Sequence, residues 1–388
     1  MLGYPFEYHS ATMSFSLEAS ILKYFGNLED PRIERTKHHP LISIVAIAIL
    51  AVICGADSWV AIETYASSKR EWLEQFLPLA NGIPSHDTFA RVFARLKPEQ
   101  LQQSFEQWIN SVTTALGGQV IALDGKTVRG SFNRSGEQKA LQLVSAWASQ
   151  HRLVLGQVKV EENSNEITAI PALLNLLEMA GCIITIDAIG CQQTIAQTII
   201  DKKADYILSL KGNQGNLHKA VKQWFEQVVK QGFEGIEYSY HETIEANHDR
   251  IEIRKCWTVP VSKLGGNYTQ AWAGLRSIGM IVSERRLWNK TTYEVRYYIS
   301  SLTSDAKVFA IAVRSHWGIE NSLHWVLDVT FAEDNSRIRK DHAPQNLALL
   351  RHLAINLLRQ EKTVNSSLAQ KRYRAALDNN YLVRVIAQ

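Results

Sequence analysis

Two apolar runs that each end in a single aspartate do most to restrict what this chain can fold into. One leads into Asp124 within IALDGKTVRGS and the other into Asp187 within CIITIDAIGCQ. A continuous apolar run of this length fits a strand covered on both faces, as in the middle of a parallel sheet. The ends of such strands are where open α/β sheets bind ligands. The segments around them fit the same plan. Residues 120–123, 141–148 and 154–160 read as strands, the second and third joined through Ser149-Gln150-His151. Residues 167–179, 192–203 and 217–230 carry apolar positions at helical spacing, with further strands at 182–186 and 206–210 between them. The resulting order is strand, strand, strand, helix, strand, helix, strand, helix, which is an α/β pattern.

Both flanks differ from this centre. Before residue 118 the chain reads as helical, with helices over 17–28, 41–54, 59–76, 87–96 and 99–116. The run LISIVAIAILAVIC at 41–54 is shorter than the ~20 residues of a membrane span, so it is read as a buried core helix. Ser85 is a good N-cap for the helix at 87–96. That helix carries Arg91 and Arg95 on one face and follows a tight turn. It is a candidate DNA-contacting helix, against the plainer reading of a solvated face. From about 234 to 303 the signals turn to β, in RIEIRKCWTV, SIGMIVSERRLW and TYEVRYYISS. Helices resume over 306–331 and 345–360. The expected division is a helical N-terminal associated domain at 1–117 and a catalytic domain at 118–388, with a β-rich insertion at about 234–303.

Composition narrows the function only a little. Lys plus Arg number 42 against 38 Asp plus Glu, for a net charge of +4. That is compatible with nucleic acid without demanding it. The four cysteines have no metal-ligand spacing, and a reducing, cytoplasmic, nucleoid-associated setting is expected. MLGYPFEYHS lacks the pattern of a signal peptide. No membrane association is expected.

Asp124 taken alone could be a turn residue, because Asp-Gly is a frequent turn pair. The apolar run before it, and Lys126 and Arg129 after it, suit instead an acid beside a bound phosphate. Asp187 sits where a second buried strand exits. A third acid, Glu320 in RSHWGIENSLHW, falls on an amphipathic helix. There His316, Glu320 and His324 share one face at i, i+4 and i+8. Trp317 and Trp325 flank that face and are expected to pack the helix on the sheet. Asp328 continues the stripe as a rival, while Glu333 and Asp334 fall in a polar, loop-like stretch. Gly125-Lys126-Thr127 mimics the end of a P-loop, but Val120 stands where that loop needs glycine. The histidine stripe is not HExxH and has no clear further ligands, which argues against zinc. Two strand-end aspartates and a helix glutamate are hard oxygen donors suited to Mg²⁺. Two such ions ~4 Å apart can activate the attacking oxygen and stabilise the leaving oxygen of an in-line phosphodiester displacement. With water as the attacking group this cuts DNA; with a 3′-hydroxyl it joins DNA.

At these segments the chain resembles the DDE insertion-sequence transposases, in the ISAs-type branch that includes the H-repeat-associated proteins. The resemblance runs from the helical N-terminal region through LDGKTVRGS, IDAIGCQ and LSLKGNQ to HWGIENSLHWVLDVTFAEDNSRIR and NLALLRHLAINLL. It implies an RNase H-like catalytic core, which the order of elements matches. It also implies two Mg²⁺ ions, with Mn²⁺ as a substitute, held by the triad Asp124, Asp187 and Glu320. The implied partners are DNA, as terminal inverted repeats and target, and further copies of the chain in a synaptic complex. Broader relatives place a tyrosine, an arginine and a lysine around the glutamate, where this chain has Val313, His316 and Leu327. Phosphate contacts are therefore expected from His316, His324, Arg337, Arg339 and Lys340, with Lys211 reaching in from a strand-end loop. The alternatives are a nuclease that cuts without joining, and a DNA-binding protein with an inactive site.

Overall fold

The computed structural model describes residues 20–113, 116–132, 139–247 and 250–387. A short 3-10 turn at Ile21–Phe25 precedes five helices: α1 (Leu41–Ile53), α2 (Trp59–Ser68), α3 (Arg70–Leu73), α4 (His86–Arg95) and α5 (Pro98–Val112). The 3-10 turn replaces the helix expected over 17–28, whose first three residues lie outside the described ones. The single helix expected over 59–76 is broken at Lys69. Every residue of α1 except Ile42 is buried, as its uniform apolarity demands. Among the described residues no helix is long and apolar enough to cross a membrane.

The α/β order then unfolds as expected. It comprises β1 (Val120–Val128), β2 (Leu141–Ala148), β3 (Leu153–Lys159), α6 (Glu166–Leu176), β4 (Ile183–Ile186), α7 (Gln193–Asp201), β5 (Asp205–Leu210) and α8 (Gly215–Lys230). Four long elements follow: β6 (Ser239–Asn247), β7 (Arg250–Pro260), β8 (Ser277–Leu287) and β9 (Lys290–Ser300), with the short α9 (Tyr268–Ala271) between β7 and β8. The nine strands form one sheet in the order β3-β2-β1-β4-β5-β9-β8-β7-β6. β1, β4 and β5 are parallel neighbours, whereas β2 is antiparallel to β1 and β3 antiparallel to β2. The β3-β2-β1-β4-β5 half, with helices against it, is an RNase H-like core.

The β-rich insertion is not a separate layer. β9 pairs antiparallel with β5, from Ile207↔Ser300 to Leu210↔Tyr297, and β8, β7 and β6 follow as a meander. The core sheet is thereby continued outward. α10 (Ala306–Gly318) crosses it diagonally, touching β1, β4 and β5 as well as β6, β7 and β8. Gly279 permits that crossing: a Cβ there would lie 2.6 Å from the Phe309 ring.

The helix expected over 306–331 is interrupted. After α10 comes a π-helical turn, Ile319–His324, and then α11 (Trp325–Val329). Three helices close the chain: α12 (Ala343–Gln360), α13 (Leu368–Leu377) and α14 (Asn379–Ile386). α12 packs on α1, α4 and α5 as well as on β3, so one hydrophobic core runs from Ile21 to Ile386. The N-terminal helices and the sheet are built around the same interior.

Candidate active site

Strand register brings the two aspartates together. Leu123 pairs with Ile186 in the parallel β1–β4 ladder. Asp124 and Asp187 each follow by one residue, so they stand at the same level on neighbouring chains. Asp187 leaves β4, whereas Asp124, expected at a strand end, lies within β1, which continues beside β2 to Val128. The Asp187 carboxylate accepts from the backbone N–H of Ile189 at 3.1 Å and of Gly190 at 3.4 Å, which turns the chain away from the sheet. Glu320 arrives from the π turn. Asp124, Asp187 and Glu320 line one cavity of about 170 Å³ with Thr185, Ser209, Lys211, Arg296, Tyr298 and His316. Among the described residues no three His, Cys, Asp or Glu side chains are gathered closely enough to grip a single ion. The carboxylates share a chamber rather than a finished coordination shell.

The electrostatics are those of crowded acids. Burial, then Asp187 and Glu320, push the Asp124 carboxyl up to about 7. His324 Nδ1 lies 3.5 Å from Asp124 Oδ2. Burial, with Lys126 nearby, pulls that imidazole down to about 4, so His324 is neutral at ordinary pH. His316 is also lowered by burial, and its Nδ1 is 3.0 Å from Thr185 Oγ1 on β4. The expected stripe of His316, Glu320 and His324 therefore does face the sheet. Trp317 stacks under the Arg296 guanidinium at 4.5 Å and lines the cavity, but Trp325 is 58% exposed and does not pack as expected.

Several of the anticipated phosphate contacts are committed within the protein. Lys126 Nζ lies 2.6 Å from Asp328, 3.4 Å from Asp334 and 3.6 Å from Glu333. Glu333 in turn meets Arg351 of α12 at 3.3 Å, both nearly fully buried. Lys126 is thus one end of an interior ion network, and Asp328 serves that network rather than the cavity. Breaking such a network from one side leaves a buried charge unpaired. Arg339 donates to the Gly130 carbonyl at 3.0 Å and lies over the Phe132 ring. His324 faces Asp124 instead of solvent. Arg91, Arg95, Arg337 and Lys340 are exposed, as is Arg129 apart from an ion pair of 3.5 Å to Asp334. The backbone bond from His342 to Ala94 sets the segment that carries Lys340 beside the end of α4. Leu327, at the position where broader relatives place a lysine, is buried.

Arg296 and Tyr298 were not foreseen. Both stand on β9 and reach the cavity only because β9 pairs with β5. A larger groove of about 670 Å³ continues from the cavity between α10 and the extended sheet. Its walls hold five arginines and five glutamates, so it is polar without being a plain basic track. Tyr293, 68% exposed, is part of its wall, and Trp288, 89% exposed, stands at the turn of the β8–β9 hairpin.

Comparison with known proteins agrees with this geometry. The model of the transposase DDE domain matches residues 115–357, and that of the region described as DDE_Tnp_1-associated matches residues 22–109. The protein named "Putative transposase YncI" of Escherichia coli O157:H7 is 42% identical over 371 residues, covering 95% of this chain and 94% of its own. The "H repeat-associated putative transposase YhhI" of Escherichia coli K12 is 39% identical over 371 residues, covering 95% of this chain and 97% of its own.

Proposed function

The chain belongs to the DDE transposase family, and from that premise we propose that it cuts and joins the ends of an insertion sequence by metal-dependent phosphodiester chemistry. The observation that carries the reading is the shared level of Asp124 and Asp187 on parallel neighbours, in one cavity with Glu320. The donor set fits magnesium, with manganese as a substitute: three carboxylates are hard oxygen donors, and no cysteine lines the cavity. The elevation of Asp124 to about 7 points the same way, because crowded acids are relieved by a cation. Asp124, Asp187 and Glu320 would hold two such ions. When bound, the ions activate the attacking oxygen and stabilise the leaving oxygen.

The remaining roles fall to the protein. Lys211 and Arg296 offer positive charge to the phosphate from two sides of the cavity. Neutral His324 and His316 orient Asp124 and the Glu320 helix rather than bind phosphate. Arg129, Arg337 and Lys340, with Arg91 and Arg95 on α4, provide an outer basic surface for the DNA backbone. Such contacts position DNA without reading its sequence. Trp288 and Tyr293 give the extended sheet aromatic faces for bases, in keeping with contact to the element's terminal inverted repeats. Target DNA and a synaptic assembly of several copies complete the reading.

The test uses duplexes carrying the terminal inverted repeats that the reading requires in the DNA flanking the gene. With Mg²⁺ the chain should nick at the repeat end and join a precleaved end to a second duplex. Asp124→Asn or Asp187→Asn should abolish both while leaving end binding nearly intact, because binding rests on Lys and Arg contacts to phosphate. Nicking at the parent rate by either variant would remove the metal-ligand assignment. Nicking without joining by the parent would favour a nuclease, and binding without nicking an inactive DNA-binding protein.

A further inference from the structure

Glu166 opens α6, next to the N-cap Asn165, where an acid is ordinary because it complements the helix dipole. Its surroundings are not ordinary. A Cβ placed on Gly125 would lie 2.1 Å from Glu166 Oε1 and 2.8 Å from Oε2. The Glu166 carboxylate therefore fills the space that any side chain at 125 would need, one residue along β1 from Asp124. Gln142 on β2 donates to Oε1 at 2.6 Å and fixes the head there. Among the described residues no Lys, Arg or His forms an ion pair with Glu166, and its charged neighbour is another acid. A half-buried carboxylate set against β1 one residue past Asp124, with no basic partner and with a glycine making room for it, is placed to serve a cation.

We infer that Glu166 is a fourth carboxylate of the ion-binding centre, brought to the two aspartates by the missing side chain at Gly125. The inference rests on the three-carboxylate reading above and deepens it. Water and phosphate fill most positions around Mg²⁺, so three carboxylates hold two ions sparsely, and a fourth acid adds a protein donor and negative charge. Gly125 then has a stated task in LDGKT: it admits the Glu166 head.

The test measures binding of Mn²⁺ alone to the full chain without DNA, by electron paramagnetic resonance and calorimetry. The variants are Asp124→Asn, Glu166→Gln, Glu166→Asp and Gly125→Ala. Glu166→Gln keeps size and can keep the bond to Gln142 by turning its amide. It should lose one ion or weaken Mn²⁺ binding at least about tenfold, the scale expected when a metal centre loses a supporting group. Glu166→Asp keeps the charge with a shorter reach and should fall between the parent and Glu166→Gln. Gly125→Ala removes no carboxylate but displaces the Glu166 head, so it should weaken Mn²⁺ binding as well. If Asp124→Asn weakens binding while Glu166→Gln and Gly125→Ala bind as the parent does, Glu166 is a helix-start acid and the inference falls alone. If Asp124→Asn also binds as the parent does, the ion-centre reading falls with it. Melting temperatures without Mn²⁺ separate a lost ligand from a damaged fold, and Glu166→Asp supplies the answer should Glu166→Gln prove unstable.

Discussion

At the scale of single residues, Asp124 makes the pH behaviour of the ion-free protein calculable in sign. Its carboxyl stands at about 7 in the fold against 3.8 as the ordinary value. Between those values the folded chain keeps a proton that the unfolded chain has released. The associated stability is complete below about pH 4 and is lost as pH rises through 7. Without divalent ions, the parent should lose melting temperature relative to Asp124→Asn as pH rises from about 4 to 7. This runs against the opposite trend from His324, whose imidazole stays neutral in the fold and takes up a proton on unfolding below pH 6.5. A slope unchanged by the substitution would place the pH dependence elsewhere. Divalent-ion affinity should run the opposite way, rising over the same interval as the proton leaves. Asp124 and Asp187 were legible in the sequence because each ends an apolar run, a signal that needs no knowledge of the rest of the chain. Arg296 and Glu166 were not. The first matters only because β9 lies beside β5, and the second only because of what Gly125 lacks. Lys126 was misread for a related reason, since its partners Asp328, Glu333 and Asp334 lie some two hundred residues away.

At the scale of elements, the π turn at Ile319–His324 is the feature that periodicity did not announce. Apolar spacing continues through it, so a single helix was the natural reading of 306–331. Such turns insert one extra residue into a helix and are frequent at functional sites. Here the turn separates α10, fixed across the sheet, from α11, whose Asp328 holds Lys126. Deleting Asn321 should let the helix close with ordinary i→i+4 bonding and shift Glu320 and His324 relative to each other and to Asp124. Helix content should survive by circular dichroism, while Mn²⁺ binding and strand cleavage should both drop steeply. Parent-like cleavage by the deletion variant would show that the turn has no part in aligning the site. The core strands β2 to β5, by contrast, were readable nearly to the residue, because buried strands carry unbroken apolar runs. β1 was expected to stop at residue 123 but runs on to Val128 through the polar residues DGKT, which carry no such signal. The insertion was recognised as β from its composition, but its union with the core sheet depends on a ladder between distant segments.

At the scale of the whole molecule, the outer basic surface is smaller than the sequence suggested. Arg337, Arg339 and Lys340 looked equivalent within SRIRKDH, yet Arg339 is tied to Gly130 and Phe132. Replacing Arg337 and Lys340 together with alanine should weaken binding to repeat-end and random DNA alike. It should also flatten the salt dependence by roughly one to two in log–log slope, since fewer counterions are released. An unchanged slope would return both residues to a merely solvated surface. The helical N-terminal region was also legible, but not that it shares an interior with the sheet; α12, packed against both, and α5, packed directly on β3, reveal it. The joint between β5 and β9 has a mechanical consequence as well. Four residue pairs weld the long ribbon to the strand beside Asp187's own. Were DNA to bear on the hairpin tip, as proposed above, the torque would pass as twist through this continuous ladder toward Arg296 and the acid chamber, linking how the ribbon is loaded to how the chamber is set.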